Sequence, residues 1–236
     1  MTQLGGFDPT GTKWQREAMV ADQLAARGLT DQRVLSAMNV IPREHFIPAQ
    51  LREHAYLDGA LPIGDGQTIS QPYTVAFMCE ALHTTPTDRI LEIGTGSGYG
   101  AAVLSQLAKE VHTIERIPEL ADAAAEKLRQ LGINNVFVHI GDGTLGLPEA
   151  GPFDGIIVTA GGEQLPRCYV QQLKDGGRIV IPLGETMRQQ SMCRFTRQRD
   201  NLYREDLGSF AFVPLIGAEG WHVDEAMHEA ERESES

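Results

Sequence analysis

From residue 88 onward the apolar positions come in short runs separated by amphipathic stretches. Arg89-Ile-Leu-Glu-Ile93, Val111-His-Thr-Ile-Glu115, Val136–Ile140, Gly155–Thr159 and Arg178–Pro182 each have the length of a buried strand. Between them, Tyr99–Ala108, Glu119–Leu131 and Leu165–Leu173 place apolar residues at helical spacing, and Gly132 supplies a stop for the second. This alternation predicts an α/β fold: a doubly wound, mostly parallel sheet with helices on both faces. After Gly184 two extended runs, Ser191–Thr196 and Ser209–Leu215, have no helix between them and predict an antiparallel edge. Upstream, Trp14–Ala26 reads as a helix closed by Gly28. A second helix capped by Thr30 ends before Pro42, and a third runs from Pro72 to about Leu82. The stretch between the second and third holds Pro48, Gly59, Pro62, Gly64 and Gly66 and reads as irregular loop. These boundaries divide the chain into an N-terminal helical and loop segment (1–84), an α/β core (85–217) and an acidic, flexible tail (218–236).

Composition narrows the class. Among 236 residues, 20 basic and 32 acidic side chains give a net charge of −12, against the basic footprint that nucleic acid requires. Residues 218–236 hold seven acids and only Arg232 as a base, so that stretch supplies −6 of the −12. No apolar run reaches the roughly 20 residues of a membrane span. The start, Met1-Thr-Gln-Leu-Gly-Gly, lacks the basic and apolar regions of a signal peptide. The expectation is a cytoplasmic monomer with no membrane or nucleic-acid partner. Cys79, Cys168 and Cys193 are odd in number and widely spaced, so neither a disulfide framework nor a metal knuckle is predicted, and no structural metal is expected.

In such sheets, ligands bind beyond the carboxyl ends of the strands. The first strand end is Glu92-Ile-Gly-Thr-Gly-Ser-Gly98, whose Gly94, Gly96 and Gly98, with Thr95 and Ser97, allow a tight turn and close backbone approach. Tyr99 occupies the position where a dinucleotide fingerprint wants Gly or Ala, and no lysine between Arg89 and Lys109 could serve a phosphate-binding loop. Glu92 beside the turn would repel a pyrophosphate but suits a cationic ligand, which S-adenosylmethionine is. The second strand ends in Glu115, placed to accept both ribose hydroxyls. Asp142, before Gly143, is placed to accept from an adenine amino group. Each acid alone is also readable as a helix cap or an exposed turn residue; three at successive strand ends favour the cofactor.

The segments Ile41-Pro-Arg-Glu-His-Phe-Ile-Pro48, Gly66-Gln-Thr-Ile-Ser-Gln-Pro72, Leu91–Tyr99, Gly141-Asp-Gly143 and Phe212-Val-Pro-Leu-Ile-Gly217 together resemble the protein-L-isoaspartate O-methyltransferase family, over about Met19 to Trp221. The resemblance implies a class I methyltransferase with a Rossmann-like core. Its activity would be methyl transfer from S-adenosylmethionine, released as S-adenosyl-L-homocysteine, to the α-carboxylate of L-isoaspartyl residues in damaged proteins and peptides. The ester then closes to a succinimide, which starts repair. A related possibility is a family-like enzyme that methylates aspartate side chains of a peptide natural product.

The resemblance implies Ser70 as the catalytic serine, with Thr68, Ile69, Val213, Pro214 and Leu215 lining the peptide groove. No histidine in the motif activates Ser70, and none is required: an α-carboxyl with a pKa of about 3.3–3.7 is already ionised at neutral pH. The expected role is to hold the acceptor oxygen in line with the methyl group while water is excluded. Ser70 is equally readable as an N-cap for the helix at Pro72. The chain departs from the family pattern at Gly100, Thr144 and Gly161. The last predicts a looser turn beside the site.

Overall fold

The computed structural model describes residues 11–187 and 189–222. The core is a seven-stranded sheet of order β5-β4-β3-β6-β7-β8-β9, comprising β3 (Arg89–Ile93), β4 (Glu110–Glu115), β5 (Val136–Ile140), β6 (Phe153–Val158), β7 (Leu173–Leu183), β8 (Gln190–Gln198) and β9 (Asn201–Phe210). Strands β5 to β7 in that order run parallel, and β8 and β9 add antiparallel. A separate hairpin pairs β1 (Leu61–Gly64) with β2 (Gln67–Ile69).

The central strands β3, β6 and β7 are largely apolar on both sides because both sides are covered. Ile90 joins the core beneath α2 (Gln32–Val40), α3 (Pro72–Leu82), α4 (Tyr99–Ser105) and α5 (Pro118–Gln130). Leu91 and Ile93 point to the opposite core, with Tyr169 of α6 (Arg167–Gln172). Helix α5 follows its sequence closely: Pro118 occupies the first turn with Glu119, and Lys127 and Arg129 lie in the last, in keeping with the helix dipole.

Four local readings need correction. The first helix is not continuous: a short α-helix (α1, Lys13–Ala18) passes into a π turn (Met19–Leu24) and a 3-10 turn (Ala25–Arg27). The cap of α2 is Asp31, whose carboxylate accepts from Arg33 N at 2.9 Å, rather than Thr30. The supposed irregular stretch contains the β1–β2 hairpin. Its Asp65-Gly66 turn has both φ values positive (52° and 68°), as the two-residue hairpin turn demands. Finally, β9 spans Asn201–Phe210, and Ala211–Leu215 leaves it. Pro214 has no N–H to offer a ladder, the Phe212 N–H donates to Gln190 Oε1 (2.9 Å), and Pro214 bridges Gly161 in parallel.

No helix among the described residues is long and apolar enough to cross a membrane.

Candidate active site

Strand order reverses around β3, between β4 and β6, so the carboxyl ends of these strands open onto one crevice. Three backbone bonds tie the ends together: Gly94 N to Ile114 O, Gly141 N to Glu115 O and Thr159 N to Ile93 O, each 2.9 Å. At Gly94 the chain turns with φ +92°. A Cβ there would lie 2.4 Å from Thr159 Oγ1, whose hydroxyl donates toward the Ile93 and Gly94 carbonyls. Gly is therefore required at 94 both by backbone conformation and by contact.

The inner cleft is lined by Gly94, Thr95, Gly96, Ser97, Glu92, Glu115 and Gly143, together with Thr68, Ile69 and Ser70 on one side and Val213, Pro214 and Leu215 on the other. The Glu115 carboxylate accepts from Gly96 N (2.9 Å, Oε2) and Ile117 N (3.1 Å, Oε1), so it braces the glycine turn, and each oxygen keeps acceptor capacity at the cleft lining. Gly98 stands behind the cleft, where it opens α4 with φ +89° and packs against Ala124 and Phe46. Asp142 also lies outside the lining. One of its oxygens accepts from Thr144 N (2.9 Å) and Thr144 Oγ1 (2.6 Å), the other from Ala218 N (2.8 Å). Two of the three strand-end acids thus face the cleft, while the third caps a turn and clamps the C-terminal segment.

Glu92 is 1% exposed. Its Oε2 accepts from Thr113 Oγ1 at 2.6 Å, and Thr113 in turn pairs with Thr95 Oγ1 at 2.7 Å. A hydroxyl has one proton to give, so with Glu92 ionised the chain runs Thr95 to Thr113 to Glu92. Burial pushes the carboxyl up to about 8, against the pull of the Thr113 hydrogen bond, and the nearby Glu115 adds to the rise. A Cβ on residue 100 would lie 2.3 Å from Glu92 Oε1, so the departure to Gly100 makes room for this carboxyl. A buried carboxyl with no cation beside it among the described residues is suited to a cationic ligand, as the glycine turn and Glu115 suit the nucleoside part of S-adenosylmethionine.

This sets a pH dependence. The folded pKa of Glu92 lies above the ordinary 4.5, so its contribution to stability is complete below about 4.5 and is lost as pH rises through about 8. At pH 7 the carboxyl holds its proton, and binding of a cationic ligand should expel it. Calorimetry of S-adenosylmethionine binding in two buffers of different ionisation enthalpy is expected to show proton release at pH 7, absent in Glu92→Gln. No release, or release that persists in the variant, would show that Glu92 does not meet the cation.

An outer groove shares Thr68, Ser70, Thr159, Val213 and Pro214 with the inner cleft and extends past Tyr73, Phe77, Phe210 and Phe212. It is the roomier of the two, about 940 Å³ against about 100 Å³. Ile69 and Leu215 line only the inner cleft and are otherwise core residues. Ser70 sits on the common wall. Its side chain caps nothing, since the α3 cap position is Gln71 and no side chain bonds there. Its carbonyl accepts from Arg43 Nη2 at 2.7 Å. Among the described residues, no histidine, cysteine or lysine lines either cavity.

Sequence reading gave no role to Arg43, Thr159 or Trp221, all of which hold the site. Arg43 stands beside Glu44 and His45, so no local pattern marked it as buried. Trp221 donates from its ring to Gly161 O (3.0 Å) and from its backbone to Leu215 O (2.8 Å). Gly161 itself pairs with both Val213 O and Leu215 N at 2.8 Å. The turn at Gly161 is not loose: the Gln190 amide fills the space a Cβ would need. Residues 218–222, placed in the tail by sequence, are hydrogen-bonded to the core, and Val223–Ser236 lie outside the described residues. A chain ending at His222 is expected to melt and turn over like the full chain. One ending at Ile216 loses four bonds to the core, from Ala218 N to Asp142, Glu219 N to Thr144 Oγ1 and the two from Trp221, at about 1 kcal/mol each, and should melt about 5–15 °C lower. Equal melting of the two in a thermal scan would show that the segment holds nothing.

Residues 15–220 match the family model "Protein-L-isoaspartate(D-aspartate) O-methyltransferase (PCMT)". Protein-L-isoaspartate O-methyltransferase 2 of Pelobacter propionicus is 52% identical over 210 residues, covering 89% of this chain and 93% of its own. Protein-L-isoaspartate O-methyltransferase 1 of Rhodopseudomonas palustris is 54% identical, with 91% and 88% covered. A solved protein-L-isoaspartate O-methyltransferase superposes with a TM-score of 0.80 at 32% identity, over 87% of this chain and 67% of that one. A beta-aspartate methyltransferase (PCMT) from Plasmodium falciparum, in complex with S-adenosyl-L-homocysteine, gives 0.74 at 25% identity, over 85% and 98%. Crevice, glycine turn and match across nearly the whole chain agree, and this chain belongs to the protein-L-isoaspartate(D-aspartate) O-methyltransferase family.

Proposed function

We propose that the protein methylates the α-carboxylate of L-isoaspartyl residues in damaged proteins and peptides, the step from which succinimide closure and repair follow. The observation that carries the reading is the placement of Ser70: its hydroxyl, free of hydrogen bonds to the described residues, stands on the wall shared by the inner cleft, which the glycine turn, Glu92 and Glu115 line, and a roomier outer groove open to peptide. When bound, S-adenosylmethionine supplies an electrophilic methyl group and leaves as S-adenosyl-L-homocysteine. Glu92, Glu115 and the Gly94–Ser97 backbone would hold it; Gly143 contributes a close wall, and Asp142 stabilises the loop that carries Gly143.

The remaining work falls to the chain's own side chains. Ser70 Oγ donates to one oxygen of the acceptor carboxylate, leaving the other to react. No base is needed, because an α-carboxyl of pKa about 3.3–3.7 is ionised at neutral pH. The absence of histidine, cysteine and lysine from both linings fits a site that orients an existing nucleophile instead of making one. Thr68, Val213 and Pro214 flank Ser70, and the Val213–Leu215 segment, fixed along one side by Gly161, leaves an extended wall for a peptide main chain. Recognition through main chain and hydroxyl fits an enzyme that meets isoaspartate in many sequence contexts.

The reading also takes the enzyme as a cytoplasmic monomer, in line with three free cysteines of which Cys79 and Cys193 are buried. Sedimentation of the purified chain as a dimer would remove the monomer from it. Turnover on an isoaspartyl peptide, followed by release of S-adenosyl-L-homocysteine, is the direct test of the activity.

A further inference from the structure

Arg43 opens a 3-10 turn (Arg43–Phe46) remote from both cavities in sequence, yet it is wholly buried, at 0% exposure. No carboxylate pairs with it among the described residues. Its Nε donates to Ala55 O at 2.8 Å, its Nη2 to Ser70 O at 2.7 Å, and the guanidinium lies 4.9 Å from the centre of the Tyr99 ring. Burial draws its pKa down to about 10, so it remains a cation at neutral pH. A cation taken out of water without a counter-charge is expensive, and a methionine or leucine would fill the space with less penalty. Packing therefore does not account for arginine here. What arginine offers, and an apolar residue does not, is a rigid fork of donors that can bind two carbonyls at once.

We infer that Arg43 is a positioning residue for methyl transfer: by gripping the Ser70 carbonyl it fixes the plane of that peptide, and with it the direction of the Ser70 hydroxyl between the two cavities. The inference rests on the role proposed for Ser70. Ser70 follows directly on β2 and precedes the α3 cap Gln71. The Arg43 bond ties this link, which lies between a two-stranded hairpin and a helix, to the Ala55 segment behind it. The cofactor side does not depend on Arg43 in the same way. Tyr99 is also held edge-on by Phe46, with ring centres 5.6 Å apart, and by its hydroxyl on Met38 Sδ at 3.6 Å.

The test is a double-mutant cycle on the full chain with Arg43→Met, which nearly conserves volume, and Ser70→Ala, read as kcat and KM for an isoaspartyl peptide. Arg43→Met is expected to lower kcat about tenfold or more, the order expected when reacting groups lose alignment. The Kd for S-adenosyl-L-homocysteine should stay within about threefold. In the Ser70→Ala background the same substitution should change kcat by less than about threefold, since its effect passes through Ser70. Arg43→Lys, which keeps the charge and one carbonyl contact, should recover part of the lost kcat. It also serves in the cycle should the methionine variant not fold. Multiplicative losses in the double variant, or wild-type kcat in Arg43→Met while Ser70→Ala is slow, would overturn the inference and leave the Ser70 role standing. Wild-type kcat in Ser70→Ala would overturn that role and the inference together.

Discussion

Glu115→Ala is expected to weaken binding of S-adenosyl-L-homocysteine by about a hundredfold or more, the largest effect on cofactor affinity among single substitutions at the site. Two losses combine. The carboxylate accepts from the Gly96 and Ile117 amides, and charge-assisted bonds of this kind contribute about 1.5–3 kcal/mol each. Its remaining acceptor capacity, at the cleft lining, is proposed for the ribose hydroxyls. A hundredfold change corresponds to only about 2.7 kcal/mol, so either loss nearly suffices. Glu115→Gln keeps an acceptor and should fall between the two, because the amide can brace one backbone N–H and no longer carries the charge. Titration calorimetry decides. An unchanged Kd in Glu115→Ala would mean that the glycine turn holds its shape unaided and that the ribose lies elsewhere.

The second large effect is on turnover. Ser70→Ala is expected to reduce kcat about a hundredfold, the loss associated with a misplacement of about 1 Å between reacting groups, while cofactor affinity stays unchanged. The expectation follows from the hydroxyl having no structural employment: it caps no helix and bonds to none of the described residues, so its removal should not disturb the fold. Ser70→Thr keeps the hydroxyl and should retain part of the activity, limited by the added methyl group. Steady-state kinetics with an isoaspartyl peptide check both. A Ser70→Ala variant with full kcat and unchanged KM would remove Ser70 from the mechanism.

The parallel core was legible because its central strands are buried on both faces. A run such as Arg89–Ile93 then places Ile90, Leu91 and Ile93 in core on both sides of the sheet, and its end is marked by the glycines that follow. Glu92 and Glu115 were legible for the same reason, since strand ends in this topology converge on one crevice. Strand β9 was not. It is an edge strand rich in exposed charge, Arg204, Glu205 and Asp206, and its polar stretch carries no alternation to read. The β1–β2 hairpin was hidden by its own residues: Pro62, Gly64 and Gly66 counted as breakers, although the pair Asp65-Gly66 is a hairpin signal when flanked by extended residues. The Asp142 clamp and the Arg43 grip on Ser70 depend on partners 76 and 27 positions away, which no local pattern encodes. The departures at Gly100 and Gly161 became intelligible only with the fold. The space left by each missing side chain is taken by Glu92 in one case and Gln190 in the other.

Two cavities meeting at a serine, with no histidine, cysteine or lysine among the described residues that line them, suit an acceptor that arrives already ionised and is held. The most direct test uses labelled S-adenosylmethionine and two peptides identical except for aspartate or isoaspartate at one position. Label is expected on the isoaspartyl peptide alone, released again as the ester closes to succinimide. Label on the aspartyl peptide, or on neither while the cofactor binds, would contradict the account.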